Sequence, residues 1–273
     1  MDSCLWSGQS KSRLGLALLV PIGLILGVFP AAAQEKKLPS AEWVLDKSIE
    51  ALGGKEALKK LTCRVSKGTV EFTGGPGPAT KGTVTLYEAA PNKRRYVVQL
   101  PQLTREVGTD GEVYWELDHA QNPRLREGEE KAVAERQADF YAALHWRQHY
   151  EKVECVGDED VEGRSCYKLV LTPKIGPPET VYYERKTGLP IKHEIVRKTE
   201  LGDTPIEILL EDYREVDGIR LPFKMVRRFS TMGQPQTAVT VWESIQHNVE
   251  IPPEKFELPG PVKALLEKTK SAP

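Results

Sequence analysis

The feature that most restricts this chain is a strand-and-turn grammar that repeats from Thr62 to Val249. In "VYYERKTGLPIKHEI", residues 181 to 195, apolar and charged residues alternate imperfectly on each side of Lys186-Thr187-Gly188, which suits a strand, a tight turn and a returning strand. "CRVSKGTVEF" gives way to the loop "TGGPGPAT", whose glycines and prolines cannot continue a paired central strand, and "KGTVTLYEA" returns. Pro91-Asn92 turns before "RRYVVQL", and Asp110-Gly111 is a strong hairpin pair between "LTREVGT" and "EVYWEL". Strands resume with "KVECVG" and "RSCYKLVLTP" and run on through "PIEILLEDYREV", "IRLPFKMVRRFS" and "QTAVTVWESIQHNV". The tally is about ten or eleven antiparallel strands. Each strand adds twist of a fixed hand, so a sheet that long is expected to curl or split. The late strands mix their faces: Ile206, Ile208 and Leu210 point one way, while Leu209 and Tyr213 point the other with Glu207 and Glu211. The expected fold is mainly β with α, a strongly curved antiparallel sheet forming an incomplete barrel, with an inner face that covers something other than a second flat sheet.

Two helical stretches interrupt this grammar. From Ser40 to Leu61, Val44, Leu45, Ile49 and Leu52 share one stripe, Gly53-Gly54 breaks it, and residues 55–61 resume. From Glu129 to Trp146 a second helical region carries Val133, Phe140, Tyr141 and Leu144, clustered late, and is expected to lie across the sheet as a lid held by its carboxy-terminal half. Residues 34–39 read as a flexible leader and residues 260–273 as a loosely held tail, leaving 40–259 as a single domain.

Residues 1–33 read as a signal peptide. Lys11 and Arg13 precede the apolar run from Leu14 to Phe29, and Ala31 and Ala33 fit the small-residue pattern of a cleavage site after Ala33. The alternative is an inner-membrane anchor at residues 14–29, although that run is shorter than the roughly 20 residues a spanning helix needs. Export predicts a periplasmic protein, soluble or in peripheral contact with a membrane. Lysine plus arginine (38) and aspartate plus glutamate (39) nearly cancel, which argues against an extended nucleic-acid surface. An oxidising compartment leaves two readings of the cysteines: a bridge between Cys155 and Cys166 across the Gly157–Gly163 turn region, or three small buried hydrophobes including Cys63.

Catalytic motifs are scarce. In "HWRQH", His145 and His149 stand at i and i+4, as a metal pair on a helix requires, but no third histidine is near in sequence and the glutamate of the usual zinc-protease motif is missing. A metal-dependent hydrolase would need a further ligand to converge on them. "TGGPGPATKGT" has the glycines of a phosphate loop without its Gly-Lys-Ser/Thr ending or its helix. The paired acids Glu129-Glu130, Asp158 to Asp160 and Glu211-Asp212 are adjacent, so on a strand they face opposite ways rather than across a cleft. These readings point to no enzyme, no metal and no cofactor. "NPRLREG" and "KMVRRF" offer Arg124, Arg126, Arg227 and Arg228 as solvated charges or as contacts to anionic headgroups or an acidic partner.

Four phrases then carry a family likeness: "GDEDVEGRSCYKLVLTP", "VYYERKTGLPIKHE", "EDYREVDGIRLPFK" and "IQHNVEIPPEKFELP". Together with "ALGGKEALKKL", they resemble the outer-membrane lipoprotein-sorting superfamily, the group around the periplasmic lipoprotein carrier and the outer-membrane lipoprotein receptor, over Ser40 to Pro259. The resemblance implies one half-barrel domain with helices across its open side, and a space between them that receives acyl chains. The carrier's sheet arginine has no matching motif here, so no ligand contact is carried over. On chemistry alone, each buried methylene contributes about 0.8 kcal/mol, so a dry cleft binds an acyl chain strongly. The candidate lining is Val84, Leu86, Val97, Tyr114, Leu169, Tyr183, Ile195, Ile208, Phe223 and Val241 from strands, closed by Phe140 and Leu144 from the middle helix and Val44 and Leu45 from the first. All of these also serve as ordinary core. The expected function is non-catalytic binding or transport of lipid or lipoprotein acyl chains, with a filled-core module binding envelope membrane proteins as the alternative.

Overall fold

A computed structural model describes residues 37–75, 77–118, 123–199, 202–231 and 233–271; the expected signal peptide lies outside them. Helix α1 (Ala41–Ala51) starts where the Ser40 hydroxyl accepts the Trp43 N–H at 3.2 Å. It ends at Gly53 and Gly54, whose φ of 124° and 87° only glycine adopts without strain. Helix α2 (Lys55–Lys59) follows.

Thirteen strands make one antiparallel sheet among the described residues: β1 (Cys63–Gly74), β2 (Thr80–Ala89), β3 (Lys93–Leu100), β4 (Leu103–Thr109), β5 (Tyr114–Asp118), β6 (Arg124–Leu125), β7 (Tyr150–Val161), β8 (Arg164–Pro173), β9 (Glu179–Glu184), β10 (Pro190–Thr199), β11 (Gly202–Val216), β12 (Ile219–Thr231) and β13 (Gln234–His247). The order is β6-β5-β4-β3-β2-β1-β13-β12-β11-β10-β9-β8-β7. Every neighbour is consecutive in sequence except β1 and β13, which pair from Arg64 opposite His247 to Gly74 opposite Gln236. That one long-range ladder joins two meanders.

This order corrects the expectation of a strongly curved incomplete barrel. The sheet is open and is not strongly curled: its outer strands, β6 and β7, each have a single partner and do not pair with each other. Strand number suggested curling, but closure needs a ladder between first and last strands, and β6 has only two residues to offer. Open sheets of 8–15 strands do occur. The free edge β7 breaks register at Tyr150/Lys152 and Cys155/Gly157, and exposes Glu151, Glu154, Asp158, Glu159 and Asp160.

Helix α3 (Gly128–Ala138) stops earlier than its pattern suggested. Asp139 leaves the helix and Phe140 to Leu144 form turns before the short helix α4 (Trp146–His149). Residues 260–271, expected as tail, form helix α5 (Gly260–Ser271), because Val262 is fully buried against Trp115 and Leu117.

The cross-strand partners Leu169, Val181, His193, Ile208, Arg227, Ala238 and Phe72 cross seven strands on one face of the sheet. On that face α1 sets Val44 and Leu45 into a cluster with Leu169, Leu171, Val181 and Tyr183, and a second cluster gathers Val70, Val84, Leu86, Val98, Phe223 and Trp242. The opposite face carries Trp115 and Leu117 under α5.

Candidate functional site

Helix α3 crosses the covered face with little apolar surface of its own. Its buried residues are Ala134 and Ala138, which pack on Tyr114. Polar contacts hold it instead. Glu130 pairs with Arg124, Glu129 with Lys198 at 3.0 Å and Arg136 with Glu179 at 2.9 Å; Arg94 donates to the Gln137 carbonyl, and the Lys131 ammonium lies over the Tyr114 ring.

These contacts meet three carboxylates set into the covered face. Glu88 continues the inward run Val84, Leu86, and it is paired by Arg64 and, at 3.7 Å, by Arg94. Glu116 is paired by Arg105, by Arg124 at 3.2 Å and by Arg126 at 3.4 Å. Glu179 is held by Arg136, by His193 at 3.0 Å and by the Tyr150 hydroxyl at 3.1 Å, while Arg136 also donates to the Ile175 carbonyl at 2.9 Å. Burial pushes each of these carboxyls up, but the adjoining cations and hydrogen bonds outweigh it and hold all three below the usual carboxylate range. Burial and Glu179 drive the Tyr150 phenol upward, so it stays a neutral donor.

His145 and His149 do converge with a third group. The Asp139 Oδ2 atom lies 2.8 Å from His145 Nδ1 and 2.6 Å from His149 Nε2, and the Tyr141 N–H donates to the same carboxylate. Both nitrogens that face the aspartate are therefore engaged in hydrogen bonds that fix the turn after α3. Among the described residues, no group of three or more His, Cys, Asp or Glu is arranged to hold a metal ion.

The apolar candidates divide among several places. Val44, Leu45, Leu169 and Tyr183 share one packed cluster; Val84, Leu86 and Phe223 share another. Tyr114 lies under α3, and Phe140 packs edge-on to Tyr141 in the turn that also holds the half-buried Leu144. Ile195 and Ile208 are half-buried on the covered face. Val97 and Val241 stand on the opposite face, because their neighbours Val98 and Trp242 are in the covered cluster. Val241 is 37% exposed.

Of the arginines, Arg124 and Arg126 are taken by Glu116, and Arg228 pairs with Glu207 at 2.7 Å. Arg227 has no ion pair among the described residues. Cys63, Cys155 and Cys166 are free thiols: Cys155 sits opposite Leu169 and Cys166 opposite Glu159, so the register separates them. A cavity of about 260 Å³ is lined by Val65, Tyr87 and Lys255, and a groove of about 500 Å³ by Ile195, Ile206 and Arg228; no residue of α1 or α3 lines either.

Sequence reasoning missed Arg105, Arg136, Arg197, Glu88, Glu116 and Glu179. A usable signal was present: Glu88 ends the period-two run Val84-Leu86-Glu88, and Arg105 and Val107 share a face in the same way.

No protein-family model matches the chain, and no curated protein does either. Solved structures do. A LolA superfamily protein from Nitrosomonas europaea matches 81% of this chain and 99% of its own, with TM-score 0.56 at 11% identity. A candidate outer membrane lipoprotein-sorting protein domain from Vibrio parahaemolyticus matches 83% and 99%, with TM-score 0.53 at 11% identity. A DUF1329 family protein from Desulfovibrio piger matches 80% and 97%, with TM-score 0.53 at 15% identity. At these identities the likeness is one of fold: the chain shares the architecture of lipoprotein-sorting superfamily proteins. Among the described residues no helix is long and apolar enough to cross a membrane.

Proposed function

We propose that this chain is an exported, non-catalytic carrier that binds the acyl chains of lipid or lipoprotein in the periplasm, on the covered face of its sheet. The observation that carries the reading is the construction of α3. A helix that buries only two alanines gives up little hydrophobic stabilisation when it moves aside, since an alanine methyl contributes far less than a leucine or phenylalanine side chain. Its ion pairs with Arg124 and Lys198 are exposed and exchange for water at little cost, which leaves the buried Arg136–Glu179 pair as the main tie. The covered face also carries the apolar clusters around Leu169 and Val84, where an acyl chain would gain about 0.8 kcal/mol per methylene buried. The shared fold with a LolA superfamily protein and a lipoprotein-sorting domain supports the same reading.

The close packing of Val44 and Leu45 on Leu169 and Tyr183 favours a second reading, an envelope interaction module with a filled core. One experiment separates them. Protein purified from its native envelope is extracted for lipid mass spectrometry, then delipidated and titrated with labelled acyl ligands. Co-purified lipid and saturable rebinding are expected; a delipidated protein that takes up none of the acyl ligands overturns the carrier reading and leaves the module.

A further inference from the structure

We infer that the face of the sheet opposite α1 and α3 carries a binding site for a small organic carboxylate, in the cavity roofed by the chain that leaves β13. The inference is independent of the carrier reading, because the acyl surface lies on the other side of the sheet.

The floor of the cavity follows from register. Ser66 is opposite Leu86, a member of the covered cluster, so Val65 and Tyr87 point to the other face. Gln246, Val65, Tyr87, Arg95, Gly108 and Trp115 form one cross-strand row there, and Lys67 stands two residues along β1 from Val65 on the same face. The roof is the segment from Val249 to Lys255, and it is held at both ends. At one end Asn248, in the left-handed region at φ 53°, accepts the Thr62 N–H at 2.7 Å and donates to the Lys60 carbonyl at 3.1 Å, while the Cys63 thiol donates to the Val249 carbonyl at 3.0 Å. At the other end the Lys255 carbonyl accepts from Arg95 at 3.3 Å, and Arg95 is itself paired with Glu106 at 2.6 Å. Between floor and roof lies a space of about 260 Å³.

The lining identifies the ligand. Val65, Val249, Ile251 and Pro252 give apolar walls, and Lys67, Lys255 and Gln246 bring donors to the same cavity. The Lys255 ammonium lies 5.6 Å from the centre of the Tyr87 ring. Elsewhere on the sheet lysines are paired: Lys81 with Glu71, Lys168 with Glu159, Lys192 with Glu194 and Glu207, and Lys224 with Glu211. Lys67 has neutral cross-strand partners instead, Thr85 and Ser244, and neither it nor Lys255 makes an ion pair among the described residues. Glu250 is the one carboxylate in the lining among the described residues, so the two ammonium groups exceed it by a single charge. A carboxylate balances that excess, whereas a phosphate group carries about −1.5 to −2. Its oxygens accept from the lysines and from the Gln246 amide while its hydrocarbon lies against the apolar walls. The space falls below the roughly 300 Å³ at which drug-sized pockets begin, so the acid is a small one.

The test is an amide NMR titration of the purified protein, the K67Q/K255Q double variant and K81Q, whose lysine lies on the same face six residues along β2 from Tyr87 and belongs to the Glu71 pair. The probes are acetate, isovalerate and benzoate, the uncharged isoamyl and benzyl alcohols, and inorganic phosphate. Saturable shifts at the amides of Val65, Lys67, Tyr87 and Gln246 are expected with isovalerate or benzoate, and they weaken as salt is raised. Loss of two charge-assisted contacts predicts that the double variant binds the same acid at least about tenfold more weakly, with K81Q unchanged. Equal binding of the matching alcohol, a preference for phosphate, equal weakening in K81Q, or no saturable shift with any of the three carboxylates overturns the site. Uptake of labelled acyl ligands by the double variant is expected to match the parent, so the carrier reading and the carboxylate site stand or fall separately. Neither lysine makes an ion pair, so the double variant is expected to keep the parent melting temperature and a dispersed spectrum.

Discussion

The tie between α3 and β9 is the place to perturb the structure. Arg136 and Glu179 have side chains only 11% and 12% exposed, meet at 2.9 Å, and share their shell with His193, Tyr150 and the Ile175 carbonyl. Removing one member of a buried pair strands the other, at a cost of about 3–5 kcal/mol. Glu179→Gln keeps the shape and removes the charge, so its cost belongs near 3 kcal/mol, about 1 M in urea midpoint at a slope of about 3 kcal/mol/M. Arg136→Met leaves Glu179 with His193 and Tyr150 and costs a similar amount or less. The double variant is expected to be no worse than the worse single one, because the second change removes the group that the first left uncompensated. Urea unfolding of the four proteins, followed by far-UV circular dichroism, closes the cycle. If the two single losses simply add, or if each stays below about 1 kcal/mol, the pair is hydrated and α3 is not held in this way.

Acid should unfold the protein in two stages. The His247 imidazole is lowered from 6.5, chiefly by burial, and the Glu88, Glu116 and Glu179 carboxyls are lowered from 4.5. In every case the unfolded chain binds the proton more readily, so stability is full above the unfolded value and is lost as pH falls, first below 6.5 and then below 4.5; a urea midpoint that is flat from pH 7 to 4 contradicts this. Leu169→Ala, at a side chain with 0% exposure, should cost about 2–5 kcal/mol in urea unfolding. Val262→Asp should release α5 and expose Trp115, read as a red shift of tryptophan fluorescence and faster proteolysis near Gly260. Iodoacetamide should modify the half-buried Cys155 before Cys166, which is fully buried with its thiol pushed up to about 11, and peptide mass spectrometry reads the order.

Much of the architecture is legible in the residues. Asp110-Gly111 and Lys186-Thr187-Gly188 sit at hairpins, and Gly53-Gly54 separates α1 from α2, because each position demands a backbone that few residues provide. Three things were not legible. The curl of the sheet depends on how thirteen twists accumulate, which no local pattern records. Helix α3 was drawn too long because Phe140 and Leu144 continued its apolar stripe, while Asp139, bound by two histidines seen only in three dimensions, breaks it. Helix α5 looked like tail because its buried anchor, Val262, with Leu266 beside it, meets Trp115 from far along the chain. The site shows the same division. The apolar candidates followed from alternation, whereas Glu116 and Glu179 find their cations on other strands and on α3.

The open edge at β7 bears on how this molecule behaves in a crowd. The outer side of this twelve-residue strand is a template on which a second copy could add a strand, and a third after it. Here a second copy would bring its own Glu151, Glu154, Asp158, Glu159 and Asp160 to within a strand's width of the first set, across a line kinked at two places. Glu154, Asp158 and Glu159 are matched by Lys152, Arg185 and Lys168, so it is mainly the two kinks, with Glu151 and Asp160 beside them, that set this side of the sheet against stacking of like upon like.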